Sequence, residues 1–225
     1  MRNPWLDYDP DVHGFHPLDE EVASRFNAGK KKPLPERHLL HPEDNAQPFF
    51  GNHENPAVAI LMANPGFVPA QAASEQTTER RKLLDLSRRH ELTDNPFVFL
   101  REEFAGTPGY DWWVGRTKEL RAAVGDDVFM KNTFSGEIHA YHSVNYRPIK
   151  ETVPTFEYTA YLVRKFMKNE TQILIRSKDW FRVLPELENY KHLHQMTNPI
   201  ISYVTPKSVA NGGFTKLVAS YSKRR

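Results

Sequence analysis

The sequence predicts a mixed α/β fold, a three-layer α/β/α arrangement around a central, doubly wound and mostly parallel sheet. Three observations predict it. Residues 58–62, VAILM, form an unbroken apolar run, the mark of a strand buried on both faces. A second candidate for a buried strand, QILI, stands at 172–175. Around these runs lie segments whose apolar residues recur at helical spacing, so strands alternate with helices as in βαβ units.

The chain has 225 residues, a length that favours one sizeable domain. The first 55 residues are rich in proline, histidine and charge, and are read as an N-terminal arm wrapping an α/β domain at 56–225. Within the arm, residues 19–28 carry one short helix, followed by the basic run Lys30-Lys31-Lys32. After the first strand, residues 79–89 set Leu83, Leu84 and Leu86 among charges at helical spacing. A Pro/Gly loop at 106–109 leads into Trp112-Trp113 and a helical stretch through Leu120 and Val124, which Gly125 ends. Val128-Phe129-Met130 is a short apolar run, and residues 137–141 are a strand candidate running into His142-Ser143. Residues 155–168 form a helix with one buried stripe. The strand at 172–175 is followed by a helix through Trp180, Phe181 and Leu184. Residues 192–197 are a short edge-like strand, Asn198-Pro199 a turn, and 214–221 a closing helix.

With no cysteine, the chain has no disulfide, no thiol nucleophile and no Cys-based zinc site. A mean hydropathy of −0.64 argues against a membrane span. The opening MRNPWLDYDPDVHG has neither a charged n-region nor an apolar h-region, so no secretory leader and a cytoplasmic location are expected. A net charge of +2 permits nucleic acid as a partner without demanding it.

In open α/β sheets, ligands bind outside the carboxyl ends of the strands, so polar residues just after apolar runs are the candidates. Three places qualify: Asn64-Pro65-Gly66-Phe67, the segment from His139 to Ser143, and Asn198-Pro199. Each also has a plain structural reading. Asn-Pro-Gly is ordinary turn chemistry, with proline presetting φ and glycine taking a positive φ. The histidines can be satisfied core or surface residues, Asn198-Pro199 can be a turn, and the lysine triplet can be a solvated loop.

The order and placement of these motifs resemble the uracil-DNA glycosylase superfamily. Its mismatch-specific and single-strand-selective branches place Asn-Pro-Gly after the first core strand and His-Pro or Asn-Pro late in the chain. Asn64-Pro65-Gly66-Phe67, with Pro69-Ala70-Gln71 downstream, matches the first, and Asn198-Pro199 the second. The late motif carries asparagine where the family often has histidine, and Tyr141-His142-Ser143 stands in the region of the family's base-reading asparagine. The resemblance implies a uracil-DNA-glycosylase-like fold and a DNA glycosylase acting on a damaged or modified base flipped out of single- or double-stranded DNA, without a cofactor, metal or obligate protein partner.

That chemistry needs a held water, a stabilised leaving base and a grip on the nucleotide. The Asn64 carboxamide can orient a water but cannot take its proton. Phe67 and Tyr141, beside Ser143, are candidates to hold the base. His142 and, more weakly, Asn198 are candidate donors to a base carbonyl as negative charge develops there. Ser202, Thr205, Lys207 and Ser208 offer hydroxyls and a cation to the phosphates, and Asn211-Gly212-Gly213 offers backbone amides. The competing readings are a non-catalytic nucleic-acid or nucleotide binder that keeps the fold, and another doubly wound hydrolase or transferase. The chain has neither a Gly-x-Ser-x-Gly elbow nor a Walker phosphate loop. A metal reading would draw on His139 with His142, or His192 with His194, which lack an evident carboxylate partner.

Overall fold

The computed structural model describes residues 1–68, 77–198 and 203–223. Its centre is a five-stranded sheet of β1 (Phe49–Gly51), β2 (Val58–Leu61), β3 (Thr133–Gly136), β4 (Gln172–Ile175) and β5 (Leu193–Gln195). The spatial order is β1-β3-β2-β4-β5. β2, β3, β4 and β5 run parallel, and β1 is an antiparallel edge on β3. In the middle of the sheet, Leu61 lies opposite Gly136 on one side and Ile175 on the other.

The apolar run at 58–61 is explained by its place. Val58 and Ile60 enter one core with Phe50, Leu174, Phe97 and Phe129, while Ala59 and Leu61 enter the other with Phe134, Ile173 and Ile175. A strand with helices over both faces needs apolar side chains at every position. The first face is covered by α2 (Thr78–Arg88), α3 (Pro108–Arg116), α4 (Lys118–Val124), α5 (Asp126–Asn132) and α8 (Gly213–Ser222). The second is covered by α6 (Phe156–Lys168), α7 (Asp179–Val183) and the N-terminal segment with α1 (Glu20–Ala28). No helix among the described residues is long and apolar enough to cross a membrane.

Local chemistry sets the helix ends. The Thr77 hydroxyl accepts from the Arg80 amide at the start of α2, and the Thr107 hydroxyl accepts from Tyr110 at the start of α3, where Pro108 needs no partner for an absent N–H. Gly125 separates α4 from α5 with φ 93°, a conformation that favours glycine. Gly213 opens α8 against β5; a Cβ there would lie 2.6 Å from His194 Nδ1.

Two local readings change, and a third element, the apolar run, is assigned. The strand expected at 137–141 is absent, and β3 precedes it at Thr133–Gly136. Residues 137–142 are buried like strand residues, but their backbone partners are loops: Glu137 N–H donates to Pro48, Ile138 N–H to Ala63, and the Ala140 carbonyl accepts from Gln47. Burial beneath the N-terminal segment produced the strand-like composition. The apolar run 128–130 belongs to α5. Gly66 does not take a positive φ.

The first 55 residues contribute to the sheet and to the core. They supply β1, and Trp5, Tyr8, Ala23 and Leu40 join the second core. The fully buried Asp19 carboxylate accepts from Tyr141 Oη at 2.7 Å, Thr155 N at 2.9 Å and Thr155 Oγ1 at 2.5 Å. The arm is thereby tied to the loop after β3.

Candidate functional site

The strand order places a switch point at the middle of the sheet. The chain leaving β2 turns toward β3, while the chain leaving β4 turns toward β5, so their exits diverge and open a crevice. At this crevice Arg176 N–H donates to Leu61 O at 2.9 Å, and Trp180 Nε1 donates to Met62 O at 2.5 Å. The Asn64-Pro65-Gly66 turn follows directly. Ser143 N–H donates to Pro65 O at 3.3 Å and Phe67 N–H to Ser143 O at 3.1 Å, a short parallel bridge that binds the turn to the loop after β3.

This bridge orients Asn64. Its Nδ2 donates to Pro65 O and Ser143 Oγ, each at 2.9 Å, and lies 3.4 Å from Tyr141 O. With both amide hydrogens committed, Oδ1 is the atom left to accept. Proline keeps position 64 out of helical backbone, so the side chain stays at the strand end.

Asn64 lines a cavity of about 260 Å³. Phe50, Phe99, Trp112 and Trp113 give it apolar walls, and Asp44, Gln47, Glu137 and His142 give it polar groups. Such a mixture of flat apolar surface and a few convergent polar groups marks a small-molecule pocket.

His142 also lines the cavity, and both its ring nitrogens are engaged. Nδ1 is 2.7 Å from Gly66 O and Nε2 is 3.0 Å from Asn45 O, with an Asp44 carboxylate oxygen 3.6 Å from Nδ1. A neutral imidazole can donate to only one of these carbonyls, an imidazolium to both. His142 thus ties three loops together at the cavity rim; to donate to a bound base it must release one carbonyl.

The other sequence candidates are spread more widely. Tyr141 is buried behind the cavity, its hydroxyl bonded to Asp19 and its ionisation pushed well up by burial, with the Asp19 charge adding to this. Phe67 is half-buried and stacks on His41 with ring centres 3.7 Å apart. Asn198 lies in an exposed turn after β5 and is not part of the cavity wall. Asn64 and His142 therefore meet at the cavity, Ser143 Oγ and the Tyr141 carbonyl reach Asn64 from behind, and Phe67 and Asn198 do not join the cavity wall. Of the phosphate candidates, Lys207 is exposed. Ser208 is buried, with Oγ accepting from Thr205 N at 2.9 Å and also bonded to Tyr203 O, while Thr205 Oγ1 accepts from Ser208 N at 3.2 Å. Ser202 lies outside the described residues, as do Pro199 and Pro69-Ala70-Gln71.

Of the histidines considered for a metal, His142 and His194 already have hydrogen-bond partners. His139 is buried, and burial pushes its ionisation down to about 3, with the Tyr141 backbone opposing the shift. His194 Nε2 lies 2.7 Å from Gln172 Oε1. Among the described residues no group of three or more His, Asp or Glu side chains could hold a metal ion.

Several residues at the site escape the sequence reading. Glu137 is the first residue after β3 and Arg176 the first after β4. Glu137 is buried in the cavity wall, Oε2 has no partner, and burial pushes its ionisation well above the usual carboxylate range while the Arg176 charge pulls it back. Burial lowers Arg176 to about 10, with Glu137 opposing the shift. Beside them runs a ladder of rings and guanidiniums: Arg116 lies 4.1 Å from the centre of the Tyr203 ring and 5.9 Å from that of Trp112, and Arg176 lies 5.0 Å from Trp112. The strand-end rule points to Glu137 and Arg176 once β3 is taken to stop at Gly136; the ladder has no signal in local sequence. Comparisons with family models, curated proteins and solved structures gave no match for this chain.

Proposed function

We propose that the protein is a monofunctional DNA glycosylase of the uracil-DNA-glycosylase-like kind, hydrolysing the N-glycosidic bond of a damaged or modified base turned out of the DNA stack. The observation that carries this reading is the Asn64 carboxamide, locked by Pro65 O and Ser143 Oγ, in the wall of an aromatic cavity at the carboxyl end of the central strand. At about 260 Å³ the cavity falls just below the range of drug-sized pockets and suits one flat heterocycle. The rings of Phe50, Phe99, Trp112 and Trp113 in its wall supply apolar surface for it.

In this reading the base enters the cavity and its sugar stays at the mouth. Asn64 Oδ1 accepts a hydrogen bond from a water and aims the oxygen at the anomeric carbon. The glycosidic electron pair leaves with the base, the sugar passes through an oxocarbenium-like state, the water oxygen bonds to the anomeric carbon, and the proton it sheds passes to solvent while the departed base takes one up. The ladder of Tyr203, Arg116, Trp112 and Arg176 lies beside the cavity and supplies rings and positive charge for a neighbouring nucleotide or phosphate.

The test is incubation with oligonucleotides carrying a panel of modified bases, followed by alkaline cleavage at abasic sites. The expected result is strand breakage at one class of base, reduced on the order of 10²-fold or more in Asn64→Ala with DNA affinity nearly unchanged. A folded Asn64→Ala protein that cleaves as fast as the parent leaves Asn64 a turn residue only. The ladder could also serve a non-catalytic nucleic-acid binder, and binding with no base released from any oligonucleotide would favour that reading.

A further inference from the structure

We propose that Glu137 is the general acid of this cavity, giving its carboxyl proton to the departing base, so that the site takes bases whose release needs protonation at a ring nitrogen or carbonyl oxygen. The inference rests on the glycosylase reading and deepens it. Asn64 can hold water but can neither give nor take a proton, which restricts an asparagine-only site to good leaving groups. Glu137 removes that restriction.

The geometry comes from the sheet register. Leu61 and Gly136 are partners across β2 and β3, and Met62 N–H donates to Gly136 O at 2.8 Å, so the two strand exits leave the sheet side by side. Asn64, half-buried, follows one exit, and Glu137, only 5% exposed, begins the other. The amide therefore sits nearer the mouth, where the sugar lies, and the acid deeper, where the base lies. Glu137 Oε2 is buried with no partner. An unpaired buried carboxyl is costly, and a native protein keeps such groups mainly where a ligand will use them.

The charged and titratable groups around Glu137 fit an acid that must both hold and release a proton. Arg176 approaches from the end of β4, with Arg116 of α3 behind it, while Asp44 and His142 line the same cavity and His139 follows on the same loop. Burial favours the neutral acid in the resting site. Once the proton has moved to the base, the Arg176 charge stabilises the carboxylate left behind. Arg176 Nη1 lies 3.7 Å from Met62 Sδ and its Nε has no partner. The balance is complete: the proton goes from Glu137 to the ring acceptor, the C1′–N electron pair leaves with the base, water bonds to C1′, and its proton returns to the Glu137 carboxylate through solvent.

The experiment measures single-turnover base release from one oligonucleotide context carrying a leaving-group series, uracil, 5-fluorouracil and hypoxanthine, across a pH series. The parent protein, Glu137→Gln and Arg176→Gln are compared, with folding checked by thermal melting. The parent rate should fall on the alkaline side as Glu137 loses its proton. Glu137→Gln, nearly isosteric, should remove that limb and lower release by about 10²–10⁴-fold for the poorest leaving group, and by less for 5-fluorouracil. Arg176→Gln should move the alkaline limb to higher pH. An active parent whose Glu137→Gln variant keeps the same pH limb and leaving-group dependence overturns the role of Glu137 and spares the glycosylase. A parent that releases none of the bases overturns both.

Discussion

Asp19→Ala is expected to cost about 3–5 kcal/mol of stability. The wild-type carboxylate is fully buried and accepts three hydrogen bonds, from Tyr141 Oη, Thr155 N and Thr155 Oγ1. Truncation leaves three donors without an acceptor. Each buried orphan costs about 1–3 kcal/mol, and hydroxyl rotation and entering water recover part of the sum. For a domain of this size each kcal/mol lowers Tm by about 2–4 °C, so the melting point should fall by roughly 6–20 °C. Asp19→Asn should lose less: its carbonyl still serves the Thr155 amide, and the two hydroxyls can rotate to accept from the new NH2. The assay is urea unfolding followed by circular dichroism and by tryptophan fluorescence, for which Trp5 and Trp180 report on the core that contains the arm. Activity should fall as well, since Tyr141 leads into His142 and Ser143, which hold the Asn64 turn. A loss of less than about 1 kcal/mol with unchanged urea dependence would refute the view that this carboxylate anchors the arm to the site loop.

The remaining predictions concern single side chains. Lys207→Ala should weaken DNA binding for all sequences alike and lower the salt slope by about one; an unchanged slope removes Lys207 from the phosphate contacts. Trp112→Ala should weaken binding to an oligonucleotide with a flipped base by about 1–3 kcal/mol, roughly 5- to 150-fold, measured by fluorescence anisotropy, and equal affinity would show that no base stacks there. His139 is held neutral by burial, with its folded value near 3. The folded state therefore resists a proton that the unfolded chain takes up near pH 6.5, so stability present above that pH is lost as pH falls from about 6.5 toward 3, by at most ~1.4 kcal/mol per unit from this group. In urea titrations His139→Phe should flatten that slope, and an identical pH dependence would contradict it.

Much of the fold was legible because it depends on local pattern. An apolar run flanked by helical segments has one comfortable place, the middle of a parallel sheet, and residues 58–61 and 172–175 lie there. The helices over 78–88, 156–168 and 213–222 follow from periodicity in the same way. Periodicity failed at β3, whose residues Thr-Phe-Ser-Gly are short and mixed, while the following loop is buried by the distant N-terminal segment and imitates a strand.

The site divides along the same line. By itself the sequence determined that Asn64 stands at a strand end, because Pro65 restricts the backbone and the apolar run stops before it. The tertiary structure alone decided what surrounds it. His142 turned out to be spent on two backbone carbonyls from segments far away in the chain, and Tyr141 on a carboxylate of the arm. Glu137 and Arg176 share the crevice because sheet order sets the exits of β3 and β4 on either side of β2. The strength of a buried charge and the company of a cavity wall depend on which strands become neighbours, and strand order is a long-range choice that local sequence does not encode.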